Sequence, residues 1–591
     1  MGKTNERVHG SHFLLKDTSL NRFFTPEDFT DEQLLIAKTA QKFIEKEVIP
    51  CKEKIENQDF STVVSLLKRA GDIGLLAHSI PEQYGGLGLD KVSKGIVGEM
   101  IGPSSGYGVA HANHTCIATL PITYFGTPKQ KSSYLPKMAS GEYIGAYCLT
   151  EANAGSDALA AETTAVLNEK GTHYLLNGTK IYITNAAFSH TFIVYAKVDG
   201  QHFSAFIVER NFPGLSIGPE EKKMGIKGSS TCSVLLEDCE VPAENLLGEV
   251  GKGHIIALNV LNLGRFNLGS ACMGGAKAGF KKTIKFINER IQFNSKIADF
   301  PASKEKVAKM AARLYATESL QYRTAGLLED ALGSLDEASD QELVAQRLSE
   351  YATECAICKV YGSETLDFVA DEALQLHGGA GFMQEYGIDQ MYRDSRINRI
   401  FEGTNEINRL LIPTHLFRKS MRGEISLQSN IEAAWHQLEN PVGSYSGLMI
   451  REQEAVDILR HLFLVCAGIA SEKFGVSLVK EQEMLIKLAD MAIALFAGES
   501  VVYRTLKSIE CNGENRSELK MDLTRTTLEE SMLVAEQHAR WIISILTSGE
   551  KLQHILSIIF NERNRYTSFD NAIFRNRRIA EKQYEMHSYV C

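Results

Sequence analysis

Apolar positions change their spacing twice along the chain. From residue 31 to 145 they recur at the three- and four-residue intervals of helices, starting with Leu34 and Leu35. Thr30 and Gln33 form a capping-box pair ahead of that run, and Pro50 stops it. From 146 to about 255 the spacing shortens toward that of strands. Asn177-Gly178 lies between two short apolar runs ending at Ile183, and Asp199-Gly200 lies between Phe192–Val198 and Phe203–Val208. Both pairs predict two-residue hairpin turns, so this region reads as an antiparallel β domain and not a βαβ sheet. Beyond about 255 the helical spacing returns, its longest run from Glu342 to about Leu376, with a break at Gly378-Gly379-Ala380-Gly381.

The boundaries follow from these changes. A tail covers 1–30, a helical domain 31–145, a β domain 146–255 and a second helical domain 256–420. Polar and turn residues predict a linker over 421–447, and a last helical domain fills 448–591. The fold class is mainly α with a central antiparallel β domain. At roughly 150 residues per domain, 591 residues agree with about four packed units.

Composition narrows the function. Hydrophobic residues are 44% and charged residues 23%, which fits a globular chain and excludes collagen-like and disordered classes. A net charge of −10 argues against a nucleic-acid backbone binder. The opening residues show no apolar core of a signal peptide, and Glu6 and Asp17 do not suit a transit peptide. The longest uncharged apolar stretch, Leu462–Ser471, is about half a membrane span. A reducing, cytoplasmic setting is expected.

Several motifs fail on their context. Gly2-Lys3-Thr4 lacks the rest of a phosphate loop, and the glycines from Gly248 to Gly253 are misspaced for a dinucleotide turn. Cys355 and Cys358 have no second cysteine pair to complete a zinc site, so no metal is expected. A nucleophile elbow is absent.

Three clusters remain. Tyr147-Cys-Leu-Thr150-Glu-Ala-Asn-Ala-Gly155-Ser156-Asp157 begins as a strand and ends in a tight loop whose backbone donors and hydroxyls suit a planar polar ligand. Ile181-Tyr182-Ile183-Thr184 sets an aromatic ring beside a hydroxyl. Phe401-Glu402-Gly403-Thr404-Asn405-Glu406 follows a run of arginines, and there Glu402 caps a helix, pairs with the arginines, or acts as a base.

Five stretches in order resemble the acyl-CoA dehydrogenase family: Thr150–Asp157, Lys222-Lys-Met-Gly-Ile-Lys227, Asn262-Leu-Gly-Arg265-Phe266, Gln375-Leu-His-Gly378-Gly379 and Phe401-Glu-Gly-Thr-Asn405. The resemblance spans about 30–420, and the last 150 or so residues resemble the extension of the very-long-chain branch. It implies a β-barrel flavin domain between two helical domains, FAD as cofactor, a homodimer, an acyl-CoA substrate and electron-transfer flavoprotein as acceptor in fatty acid β-oxidation. By that resemblance Tyr147, Leu149, Thr150, Gly155 and Ser156 face the flavin and pyrophosphate, with Ser156 also near substrate. Tyr182, Ile183 and Thr184 lie against the flavin ring. Arg290, Phe293, Gln375, Leu376, His377, Gly378 and Gly379 reach the FAD of a partner subunit. Thr404, Asn405 and Glu406 sit near the adenine, while Asn262, Arg265, Phe401 and Gly403 contact substrate. Glu402 matches the catalytic base, which removes a proton from C2 of the thioester while hydride leaves C3 for the flavin. Some branches carry the base just before the arginine, a position that is Gly264 here and cannot act.

Departures from the family pattern are Tyr182 for Trp, Ala152-Asn153 for Pro-Gly, Asn294 for Gly and Lys304 for Gln. An oxygen-using oxidase and a non-catalytic scaffold are the competing readings. Chain-length choice should depend on the depth of the cavity around Val109–Thr119. In the last domain, apolar spacing through Trp541, Ile542, Ile545, Leu546 and then Leu552, Ile555, Leu556, Ile559 precedes Arg563, Arg565, Arg575, Arg577 and Arg578. This admits either a peripheral membrane helix or an ordinary bundle helix.

Overall fold

The computed structural model describes residues 9–16, 23–335, 340–440, 445–565 and 569–591, without the side chains of 560–565. Helices α1 (Asp31–Phe43), α2 (Lys52–Glu56), α3 (Phe60–Asp72), α4 (Lys91–Ile101), α5 (Gly106–Ala112), α6 (Leu120–Phe125) and α7 (Pro128–Ser140) form the first helical body. The predicted capping box is made: Thr30 Oγ1 accepts from Gln33 N at 3.2 Å, and Gln33 Oε1 accepts from Thr30 N at 3.1 Å. Helix α3 turns Val63, Leu66, Leu67 and Ala70 inward at helical spacing. Between α5 and α6 the chain loosens into a π-helical stretch, Asn113–Ala118, a form enriched at functional sites.

One eight-stranded sheet follows: β1 (Gly145–Cys148), β2 (Thr164–Leu167), β3 (His173–Thr184), β4 (Thr191–Val198), β5 (His202–Glu209), β6 (Leu215–Glu220), β7 (Thr231–Pro242) and β8 (Leu246–Leu247). Its order is β6-β7-β3-β2-β4-β5-β8, with β1 added on β4. The sheet is mixed, because β1 and β2 both pair with β4 in parallel. Asp199-Gly200 does turn β4 into β5, with both residues at positive φ. Asn177-Gly178 does not turn. It lies inside the continuous strand β3, at a register shift against β7. Asn177 bonds across to Asp238, and a Cβ at Gly178 would stand 2.4 Å from Thr163 Oγ1, so the glycine answers a close crossing of chains.

The second helical body contains α8 (Gly253–Glu289), α9 (Pro301–Leu332), α10 (Gln341–Ser349), α11 (Ala352–His377), α12 (Ile388–Ser395) and α13 (Asn405–Met421). A short hairpin, β9 (Ile291–Gln292) with β10 (Ser295–Lys296), follows α8. The longest helix is α8, and the run predicted over 342–376 divides at Glu350 and Tyr351 into α10 and α11. The predicted linker holds a helix, α14 (Leu427–Glu439), whose Leu427, Ile431, Ala434 and Leu438 are buried; 441–444 lie outside the described residues.

Helices α15 (Ile450–Phe474), α16 (Gln482–Asn512), α17 (Glu518–Leu546), α18 (Gly549–Arg565) and α19 (Ala572–Met586) complete the chain. They share one continuous core with the rest, in which Phe13, Leu320, Phe463, Phe496 and Leu528 pack together. Ion pairs cross the junction inside that core: Glu499 joins Arg323 at 2.5 Å and Arg460 at 2.7 Å. The segment Ile450–Lys480 is long and apolar enough to cross a membrane, and its Leu459, Phe463 and Cys466 sit in the protein core. The faces considered for membrane contact are largely packed inside, with Ile542, Ile555 and Ile559 buried and Trp541 and Ile545 exposed. Arg575 is buried between Glu529 and Asp570, and Arg578 pairs with Asp522. The side chains of Arg563 and Arg565 lie outside the described residues.

Candidate active site

A cavity of about 310 Å³ runs along one face of α8. Its lining on that helix includes Gly264, Leu268, Ala271, Gly275, Ala278 and Lys282, a row at three- and four-residue intervals with small residues predominating. At 1.5 Å per residue the row is roughly 27 Å long. Opposite α8 stand Gly102, Gly108 and the π-helical residues Asn113, Cys116 and Ile117; α12 adds Met391 and Asp394. Glu402 and Phe401 close one end, where Thr184 of β3 also lines the space. Asp394 ties the cavity wall to the sheet region, accepting from Ser105 Oγ and from Ile226 N within the Lys222–Lys227 stretch.

The chain approaches Glu402 through a short 3₁₀ turn, Arg396–Arg399, and then reverses. Glu402 has φ 58° and Gly403 φ 79°, two consecutive left-handed residues. For a glutamate that conformation is strained, and it turns the side chain into the cavity. Glu402 is not a helix cap. Thr404 caps α13, its Oγ1 accepting from Ile407 N at 3.3 Å. Nor does Glu402 pair with the neighbouring arginines, since Arg393 and Arg399 go to Glu56 and Asp367. Its Oε2 is buried and has no hydrogen-bond partner. Burial pushes this carboxyl up to about 7, against the pull of the Arg265 and Lys359 cations. A Cβ at Gly264 would lie 2.7 Å from Glu402 Oε2. The glycine therefore makes room for the carboxylate, and the two positions cannot both carry an acid without one moving.

The first two sequence clusters meet. Ile181 N donates to Thr150 O at 3.0 Å, joining the end of β3 to the loop after β1. A buried ion pair supports the loop: Lys180 Nζ donates to Glu151 Oε1 at 2.6 Å, while Glu151 also accepts from Glu162 N and Thr163 N. A register shift in β3 between Lys180 and Ile183 puts Tyr182 at φ 59° and leaves its ring 63% exposed. Tyr147, Leu149 and Ile183 are buried behind it. Gly155 and Ser156 are exposed, and a Cβ at Gly155 would meet nothing within 4 Å. This open cradle, with a bare aromatic face beside backbone donors, fits FAD.

A second group gathers at the ends of α8 and α11. His377 stacks on Phe286 at 4.2 Å, which brings Gln375–Gly379 near the chain leading to Arg290 and Phe293. Phe293 is 91% exposed, Arg290, Gln375, Gly378 and Gly379 are exposed, and neither glycine has an atom within 4 Å of a Cβ. Leu376 faces the core, and His377 is buried with Nδ1 at 2.7 Å from Ala373 O. Asn405, expected near the adenine, is 1% exposed and commits its amide to Lys359, Ser363 and Glu364, so its side chain faces the interior. Glu406 is exposed in the first turn of α13. On α8, Arg265 Nη1 donates to Asn262 Oδ1 at 2.9 Å and Nε to Glu402 O at 3.4 Å. Reading along the chain missed Lys359 and Asn408, which both donate to Gly403 O. Their signal, a lysine facing the core side of a buried helix, has meaning only once α11 and α13 are packed together.

Comparison with known proteins accounts for this arrangement. Family models described as acyl-CoA dehydrogenase N-terminal, middle and C-terminal domains match residues 30–142, 146–239 and 251–417, and a further C-terminal domain model matches 458–560. The chain belongs to the acyl-CoA dehydrogenase family, FAD-dependent oxidoreductases. It is 46% identical to a probable acyl-CoA dehydrogenase of Bacillus subtilis over 98% of both chains. It is 34% identical to the human mitochondrial very long-chain specific enzyme, over 80% of this chain and 74% of that one. Among solved structures, an acyl-CoA dehydrogenase complexed with FAD from Bacillus anthracis matches with a TM-score of 0.96 at 46% identity, over 99% of this chain and all of that one.

Proposed function

We propose that this enzyme dehydrogenates long-chain acyl-CoA thioesters to trans-2-enoyl-CoA in fatty acid β-oxidation, with Glu402 as the base and electron-transfer flavoprotein as the electron acceptor. The observation that carries the reading is a buried, unpartnered carboxylate at the head of a long apolar channel. Bound FAD supplies the hydride acceptor for this chemistry; Tyr147–Ser156 and Tyr182–Thr184 would hold it.

Glu402 takes the C2 proton. A pKa of about 7 leaves a substantial carboxylate fraction at neutral pH and makes it a much stronger base than an exposed glutamate. Among the described residues its N–H has no backbone or side-chain acceptor, so it is free to donate to a thioester oxygen as negative charge develops. Arg265 and Asn262, joined to each other, stand beside the same backbone. The row of small residues on α8 supports a long acyl chain, because Gly264, Ala271, Gly275 and Ala278 leave the space that larger side chains would fill.

The exposed apolar group around Phe293, with Gly378 and Gly379, supports a homodimer in which those residues reach the partner's cofactor. Packing of α17–α19 into the common core favours a buttress for α9 over a membrane anchor. In a Glu402→Gln variant, FAD and acyl-CoA should still bind while flavin reduction by substrate falls by at least about 10²–10⁴. Reduction at wild-type rate would remove Glu402 from the chemistry.

A further inference from the structure

We propose that Lys359 is the positioning residue for the base, fixing the strained backbone at Glu402–Gly403 from beneath through the Gly403 carbonyl and Asn405. The inference rests on Glu402 being the base. Lys359 lies on α11 and is fully buried. Its Nζ donates to Gly403 O at 2.7 Å and to Asn405 Oδ1 at 2.7 Å. Asn408 donates to the same Gly403 carbonyl at 2.8 Å, from within α13. The Asn405 amide is in turn held by Ser363 Oγ at 3.1 Å and Glu364 Oε1 at 3.0 Å, both on α11. The turn carrying the base is thus tied to α11 by the Lys359 ammonium directly, and through Asn405 by Ser363 and Glu364.

Such a support is needed here. Two successive left-handed residues persist only where their surroundings over-determine them. The carboxylate itself offers no anchor, since its Oε2 bonds to nothing. Aim must therefore be set through the backbone: Glu402 O accepts from Arg265 Nε and Asn408 Nδ2 at 3.4 Å each, and the next carbonyl along, Gly403 O, takes the shorter bonds from Lys359 and Asn408.

Lys359 also acts on charge. The groups facing Glu402 are Arg265 from α8, Lys359 from α11, Cys116 from the π-helical stretch and Tyr147 from β1. Of these only Arg265 and Lys359 are cations, and both favour the ionised carboxylate. Burial pulls Lys359 itself down to about 8, as expected of an ammonium with two neutral acceptors.

The test is anaerobic flavin reduction by a saturating long-chain acyl-CoA across pH 5.5–9, on FAD-loaded wild type, Lys359→Met, Lys359→Arg and Glu402→Gln. Lys359→Met should keep its FAD and bind acyl-CoA, reduce flavin about tenfold to a hundredfold more slowly, and move its acid limb to higher pH. Lys359→Arg should recover the acid limb by keeping the charge. A folded, FAD-loaded Lys359→Met with wild-type rate and unmoved acid limb, beside an inactive Glu402→Gln, overturns the positioning role alone. An active Glu402→Gln overturns the base assignment instead. Should Lys359→Met fail to fold, Asn405→Ala removes one of the two Lys359 acceptors. It should then slow reduction in the same direction by a smaller factor, and an unchanged rate overturns the proposal.

Discussion

Two carboxylates buried in this molecule have opposite surroundings. Glu318 on α9 pairs with Lys277 and with Arg504 at 2.6 Å, and accepts from Tyr589 OH at 3.2 Å. Glu402 is half-buried as a residue with its Oε2 shut off from solvent, but that oxygen has no partner and the nearby cations are spent on backbone and amide oxygens. Burial alone would raise both pKa values; Lys277 and Arg504 hold Glu318 far below the ordinary range, while Glu402 rises to about 7. Partnership, not depth, separates a structural acid from a reactive one. The structural network welds the C-terminal helices to α9, drawing in Glu27 and Arg504 from distant parts of the chain.

The comparison is broken most severely by unpairing the structural side. Glu499→Ala would take the most buried carboxylate from both Arg323 and Arg460, leaving Arg460 with Asp457 and Arg323 with Ser500 Oγ. We expect a loss of about 3–5 kcal/mol in denaturant unfolding, with FAD released alongside. A loss under 1 kcal/mol would mean that the junction does not depend on this charge cluster.

A smaller change crowds the reactive side. Gly264→Ala places a methyl 2.7 Å from Glu402 Oε2, the free end of a flexible side chain. The fold should survive while the carboxylate swings aside, lowering flavin reduction by up to about 10²-fold. An unchanged rate constant with unchanged stability would show that the carboxylate has slack in its aim.

The mildest perturbation is pH. His111 is held down to about 3 and His114 to about 4, both chiefly by burial. Unfolded, each takes a proton near 6.5. The unfolded chain then binds more protons, so their contribution is intact above pH 6.5 and declines as pH falls toward 4, by about 2 kcal/mol per histidine at pH 5. Glu27, which Arg504 and Lys520 hold at about 2 against burial, loses its contribution only below about 4.5. Urea midpoints of the holoenzyme should therefore drop between pH 7.5 and 5; equal midpoints would contradict the buried neutral histidines.

What could be read along the chain was local or motif-borne. The Thr30 capping box, the Asp199-Gly200 turn and the alternation of helical and strand regions depend on neighbours in sequence. Asn177-Gly178 carried the same turn signal, yet the close approach of Thr163 and the pairing with β7 keep it in a strand. Glu402 was found from its motif, but not whether it paired. That required its distances to Arg265 and Lys359, which lie 137 and 43 residues away in the chain. The helix at Leu427–Glu439 was hidden by polar surface residues, since only its four buried positions face the core.

The central claim is that Glu402 is a base because it is buried without a partner. Its most direct test is the pH dependence of the apparent second-order rate constant for anaerobic flavin reduction by long-chain acyl-CoA, which reports ionisations of the free enzyme. We predict a rise with pH whose midpoint lies near 7, absent from Glu402→Gln. A constant rate from pH 6 to 8, with a midpoint near the ordinary glutamate value of about 4.3, would contradict it.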